Sequence, residues 1–157
     1  MRIGVLSDTH GNLPTPITQA FAGCEYIFHA GDIGSLAVLL ELEAIAPVVA
    51  VLGNNDFSFT DTLQQFELVE LEGVRFLIAH RLEDLEYRLN NWPAGRVLPH
   101  VCIYGHTHAP KDFLRKPGGI RMINPGSLYY PRQGSRKQAL VLEVSSGSIV
   151  EFNPIVL

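Results

Sequence analysis

Residues 26–52 read YIFHAGDIGSLAVLLELEAIAPVVAVL. Two short apolar runs in it, Tyr26–His29 and Val48–Leu52, have the length and side-chain type of buried strands. Between them, residues 35–46 start on Ser35, a good N-cap type, and stop before Pro47, which cannot continue a helix. A strand, a helix and a second strand form a crossover unit, so the strands pair in parallel with a right-handed connection. Arg2–Leu6 supplies one more buried strand. Residues 14–22, with Pro14 in the first turn, supply one more helix. Parallel strands wound in this way gather their functional loops at their carboxyl ends.

Beyond residue 60 the pattern changes. Glu67–Leu71 and Val74–Ala79 flank Glu72-Gly73, a two-residue hairpin signal. Residues 82–91 place Leu82, Leu85 and Leu89 on one helical face, with Asp84 and Arg88 as an exposed i,i+4 pair. Strand patterns follow at 101–104, 111–115, 120–123, 139–144 and 148–153. The expected architecture is a two-sheet α/β sandwich with helices on the outer faces, formed by residues 1–157 as one domain.

The totals narrow the function classes. With a net charge of −4, nothing in the total points to a broad nucleic-acid or anionic-membrane surface, and nucleic acid stays an open partner through a local basic patch. The densest basic group, Arg132, Arg136 and Lys137, reads equally well as a solvated loop. No run reaches the ~18 apolar residues of a membrane span, and the opening apolar run is too short for a signal peptide. Cys24 and Cys102 lack CxxC spacing and sit in apolar contexts, as buried thiols of a reducing compartment do. The expected location is cytoplasmic.

Five polar clusters each follow a strand pattern: Asp8 and His10 in SDTHG, Asp32 in HAGD, Asn54 in LGNND, His80 in LIAH, and His106 with His108 in YGHTH. Each triplet alone is weak. Together they place carboxylates, imidazoles and an amide where a doubly wound sheet collects its loops. Two cations ~3.5–4 Å apart repel each other, so an anionic ligand is needed between them. The remaining positions suit neutral imidazole and amide donors for Mn, Fe or Zn. Two divalent ions set against Asp8 and Asp32 leave about +2, which attracts an anionic phosphoester to an acidic protein. Gly11, Gly31, Gly53 and Gly105 adjoin the clusters, where the chain must turn sharply.

SDTHG, HAGD, GNND, a strand-terminal His and GHTH, in that order, resemble the calcineurin-like metallophosphoesterase superfamily. NPGSLYYPR, residues 124–132, is similar to its YfcE-type phosphodiesterase branch. The resemblance implies a four-layer αββα sandwich and two divalent ions, with Mn preferred and Fe, Zn, Ni or Mg as alternatives. It assigns Asp8, His10, Asp32 and His108 to one ion and Asp32, Asn54, His80 and His106 to the other, with Asp32 as the bridge. It casts Asp32, Asn54 and His80 as the catalytic centre. The implied reaction is attack on a small phosphoester by a metal-held hydroxide, without a covalent enzyme intermediate.

Asn55 stands where many members carry a proton-donating His, so it hydrogen-bonds substrate but cannot act as an acid. Arg81 stands where the family often has Gly. Arg132 is a candidate phosphate clamp. Three alternatives remain open: a non-catalytic protein-interaction scaffold on the same fold, a nuclease, or a cyclic-nucleotide phosphodiesterase. His29 is expected to be structural. Asp56 is expected either to orient a ligand or Asn54 from behind, or to cap the chain after its turn. Asn124–Ser127 is a turn that braces a histidine ligand or merely reverses the chain. Tyr129 and Tyr130 line the pocket or a contact between copies of a homo-oligomer.

Overall fold

The computed structural model describes residues 1–157. Alternation along β1 (Arg2–Leu6) sets the layers. Ile3 and Val5 point to one apolar layer and Leu6 to another, while Gly4 lets Phe21 approach so closely that a Cβ would lie 2.9 Å from its ring. β1 pairs in parallel with β2 (Tyr26–His29), which pairs in parallel with β3 (Val48–Ala50). On the other side β1 runs antiparallel to β9 (Gln138–Ser145), and β9 to β10 (Ser148–Val156). The first sheet therefore has the order β10-β9-β1-β2-β3. The crossover helices α1 (Thr15–Ala20) and α2 (Leu36–Glu43) bury Ile17, Val38, Leu39 and Leu42 against its outer face.

The second sheet is β4-β5-β6-β8-β7, built from β4 (Phe66–Leu71), β5 (Val74–Ala79), β6 (Val101–Ile103), β7 (Lys111–Arg115) and β8 (Ile120–Asn124). β5, β6 and β8 are parallel. Glu72 and Gly73 both take positive φ, 50° and 77°, as the two-residue hairpin requires. α3 (Leu82–Asn90) covers the outer face, with Leu85 and Leu89 packed on Leu77, Cys102, Tyr104 and Met122. The inner faces meet through Ile3, Val5, Phe28, Phe76, Ile78, Ile103 and Leu142. Phe28 and Phe76 touch edge to face across the sheets at 5.2 Å. The result is the four-layer αββα sandwich.

Several local expectations are corrected. α1 starts at Thr15; Pro14 lies outside it at ψ 136°, and Pro16 fills the first turn. α2 stops at Glu43 because Ile45 and Ala46 both donate to Leu42 O, which tightens the end into turns. Ser35 occupies the N-cap position of α2, yet its hydroxyl makes no capping bond. β3 ends at Ala50, and Val51 contributes only an isolated bridge to Gln64. The Arg88 guanidinium lies 4.8 Å from the Phe66 ring centre, a cation–π contact in place of the expected pair with Asp84. Cys24 and Cys102 are buried and unpaired, and burial pushes the Cys102 thiol up to about 12. No helix is long and apolar enough to cross a membrane.

Candidate metal centre

The parallel strands of both sheets end on one rim. The first sheet brings Asp8, His10, Asp32 and Asn54 there; the second brings His80, His106 and His108. The loops are pressed together at two glycines. A Cβ at Gly53 would overlap Asp32, and one at Gly105 would overlap Ser7 Oγ and lie 2.6 Å from Asp8 Oδ2. The candidate ligands themselves carry unusual backbone. Asp8, His10, Asp32, His106 and His108 all sit at positive φ, between 45° and 67°. For residues with a Cβ this left-handed region costs roughly 1–2 kcal/mol each. Reading the sequence located the neighbouring glycines but missed that the ligands take this conformation.

Asp8 Oδ2 accepts from Ser7 Oγ at 2.6 Å and from the His106 amide at 3.0 Å. Oδ1 is left buried without a partner, as is His10 Nε2. His108 Nδ1 donates to Tyr130 O at 2.6 Å, which leaves the Nε2 lone pair 3.1 Å from Asp8 Oδ1. His80 Nδ1 donates to Ala30 O at 2.7 Å, so its Nε2 faces Asn54 Oδ1 at 2.9 Å and Asp32 Oδ2 at 3.5 Å. His106 Nδ1 lies 3.0 Å from the same Asn54 oxygen. Asp32 Oδ2 is also 3.5 Å from His10 Nε2, between the two groups of ligands.

Lone pairs facing lone pairs repel unless a proton or a cation lies between them. Burial opposes charge on His80, but the Asp32 hydrogen bond and the nearby carboxylates raise it above the usual histidine range. The Asp8 carboxylate, whose Oδ1 lies 3.1 Å from Nε2, raises His108 in the same way. Burial alone would lift Asp32, yet His80 and two donors from Asn55 hold it well below the usual carboxylate range. The donor set, two carboxylates, four imidazoles and an amide oxygen with two orphaned buried atoms, fits divalent cations.

The surrounding residues set these positions. Asn55 donates through its backbone N–H to Asp32 Oδ1 (3.0 Å) and through Nδ2 to Oδ2 (2.8 Å), so it supports the proposed bridge. Asp56 does not reach the Asn54 side chain; it supports the candidate ligands through their loops and closes the turn at 53–56. Its carboxylate accepts from Ile33 N at 2.9 Å, Gly34 N at 3.3 Å and Gly53 N at 2.8 Å, tying the Asp32 loop to the Asn54 loop. His29 is structural: Nδ1 accepts from Gly31 N, so Nε2 donates to Thr9 Oγ1, and burial holds its pKa down at about 3. Asn124 Nδ2 donates to Gly105 O and Thr107 Oγ1, while Ser127 Oγ donates to Asp8 O. The turn at 124–127 therefore braces the loops of both ligand groups. Arg132, Tyr129 and Tyr130 line a cavity of about 360 Å³ beside the ligands, and Arg81 lines a second of about 340 Å³. Sequence reasoning left the two tyrosines undecided. Both residues line the cavity, and the Tyr129 ring lies against His10.

Residues 1–147 match the calcineurin-like phosphoesterase superfamily domain. The chain belongs to this metal-dependent family. A probable metallophosphoesterase from Methanothermobacter thermautotrophicus is 37% identical over 84% of this chain and 80% of its own length. Among solved structures, a novel archaeal phosphodiesterase superposes with a TM-score of 0.76 at 29% identity, covering 100% of both chains. Yfce, a phosphoesterase from E. coli, superposes at 0.70 and 26% identity, covering 97% of this chain and 98% of that one. Vps29 from Entamoeba histolytica, crystallised with zinc, shares the fold at 0.75 with 18% identity over 99% of each chain.

Proposed function

We propose that this protein is a binuclear metal-dependent phosphodiesterase of small phosphoesters, with Mn as its preferred ion, working in the cytoplasm. The observation that carries the reading is the convergence of seven donors whose lone pairs face one another, with Asp8 Oδ1 and His10 Nε2 buried and unpartnered. Asp8, His10, Asp32 and His108 would hold one ion, and Asp32, Asn54, His80 and His106 the other. When bound, two divalent ions supply charge to neutralise phosphate oxygens and acidify an attacking water.

The chain's own residues do the rest. Asp32 supplies the negative charge between the two ligand groups, and Asn55 orients both of its oxygens. Ala30 O and Tyr130 O fix the His80 and His108 rings by accepting their Nδ1 protons, which keeps both Nε2 atoms turned inward. Arg132, on the wall of the adjoining cavity, attracts the phosphate. Asn55 has no proton to give a departing oxygen, so good leaving groups are favoured. Completeness of the ligand set supports an enzyme over a scaffold on the same fold.

The test is hydrolysis of a panel of phosphodiesters and monoesters by Mn-reconstituted protein, with elemental analysis alongside. The expected result is two ions per chain, diester cleavage abolished by chelation, and a rate that falls steeply as leaving-group pKa rises. A saturating value of one ion or fewer, or no cleavage of any ester, would overturn the reading.

A further inference from the structure

The candidate metal centre opens on two sides that differ in chemistry. Asn54 lines both cavities, so the ligands lie between them. One lobe is walled by Gln65, Arg81 and Asp84 beside His80 and has no tyrosine on its wall. The other is walled by Tyr129, Tyr130 and Arg132. A phosphodiester has two arms, and two unlike lobes distinguish them.

The tyrosines are exposed, 52% and 64%, yet their backbone is held fast. Both amides donate to Ser127 Oγ, at 3.1 and 3.2 Å. Tyr130 O takes the Nδ1 proton of His108, and the next ordered turn returns Arg132 N to His108 O at 3.0 Å. The Tyr129 ring already rests against His10, centroid to centroid 5.2 Å. Two exposed tyrosines on anchored backbone thus stand at the wall of the site, one with its ring already against His10, and aromatic rings so placed can stack planar groups.

We infer that Tyr129 and Tyr130 form a stacking platform for a planar aromatic arm of the phosphoester, a nucleobase or an aryl group, while the polar arm enters the Arg81 lobe. This rests on the phosphodiesterase reading above and names the substrate class it takes. The platform determines specificity through affinity and takes no part in bond breaking.

Calorimetry on the Mn-loaded protein tests it with three probes: 2-deoxyribose 5-phosphate, thymidine 5′-monophosphate and phenylphosphonate. At least one ring-bearing probe should bind about tenfold tighter than the ringless sugar phosphate, within the roughly 5- to 150-fold that one stacked base provides. Thymidine 5′-monophosphate in the lead identifies a nucleobase arm; phenylphosphonate identifies an aryl arm. The double variant Tyr129→Ala/Tyr130→Ala should bring all three within about twofold, and Tyr129→Phe/Tyr130→Phe should keep the preference. Equal affinities for the three probes in the native protein, or a preference that survives the alanine pair, would overturn the platform. If diesters are still cleaved in that case, the phosphodiesterase reading stands; if nothing binds and no ester is cleaved, both fall.

Discussion

The two rims of the sandwich load the same backbone conformation onto different sets of residues. At the rim where β4 turns into β5 and β9 into β10, left-handed φ falls on Glu72-Gly73 and Ser146-Gly147, and Gly147 N donates to Glu72 O at 2.8 Å. Each turn has a glycine to share the strain, and the two hairpins fasten the sheets together. At the opposite rim Gly11 and Gly31 take left-handed φ as well, but so do five candidate ligands, Asp8, His10, Asp32, His106 and His108, none of which can relax as glycine does. One rim is built for stability. The other holds its strain because those side chains must converge on one point.

The sharpest way to break this comparison is to remove the charge at the strained rim. Asp32→Asn should lower diester hydrolysis at least about 10²-fold, more than a supporting residue typically costs, and excess Mn should not restore it. His108→Ala should lose less and recover in part with excess Mn. Equal and unrescued losses would contradict Asp32 as the shared ligand.

Next in size is Asp56→Ala, which strands three backbone N–H groups. The loss should be about 3 kcal/mol, a Tm lower by roughly 6–12 °C, with metal affinity reduced about 10- to 100-fold. An unchanged Tm by calorimetry would show that the loops hold without it.

His29 tests the support beneath the rim through pH. Its ring stays neutral in the fold down to about 3, whereas an unfolded chain takes the proton near 6.5. The unfolded state therefore binds more protons in this window. Stability falls as pH falls from about 6.5 toward 3, by up to about 1.4 kcal/mol per pH unit. His29→Gln should show a slope shallower by one proton in denaturant titrations; an identical slope would remove His29 from the account.

The smallest effect sharpens the comparison most directly. In the metal-free protein, His10→Gly should be more stable than His10→Ala by about 1 kcal/mol, because only glycine accepts φ 45° freely. At the other rim, Gly73→Ala should cost a similar amount. If His10→Ala proved the more stable of its pair, the strain argument would fail.

The alternation of apolar runs, the Glu72-Gly73 turn and the ordered clusters from Asp8 to His108 were legible in the sequence because periodicity and turn chemistry are local. So was a structural role for His29. What escaped reading depends on distant partners. Asp56 had two plausible local duties, while its actual acceptors serve Ile33 and Gly34 across more than 20 residues of chain. Ser127 reaches Asp8 O across 119 residues, which no turn propensity anticipates. Arg88 had a suitable charged partner four residues away and instead covers Phe66 from another element. The end of α2 moved because two amides, those of Ile45 and Ala46, share one acceptor, Leu42 O.

The strain at the ligand rim also gives the fold a direction of drift. Each ligand exchanged for glycine at a left-handed position relieves roughly 1–2 kcal/mol of strain, and the apolar layer between the sheets does not depend on it. A chain that exchanged these candidate ligands for glycine would keep its architecture, because its core lies elsewhere. The same sandwich then persists as a firmer body, with a worn rim available for other contacts.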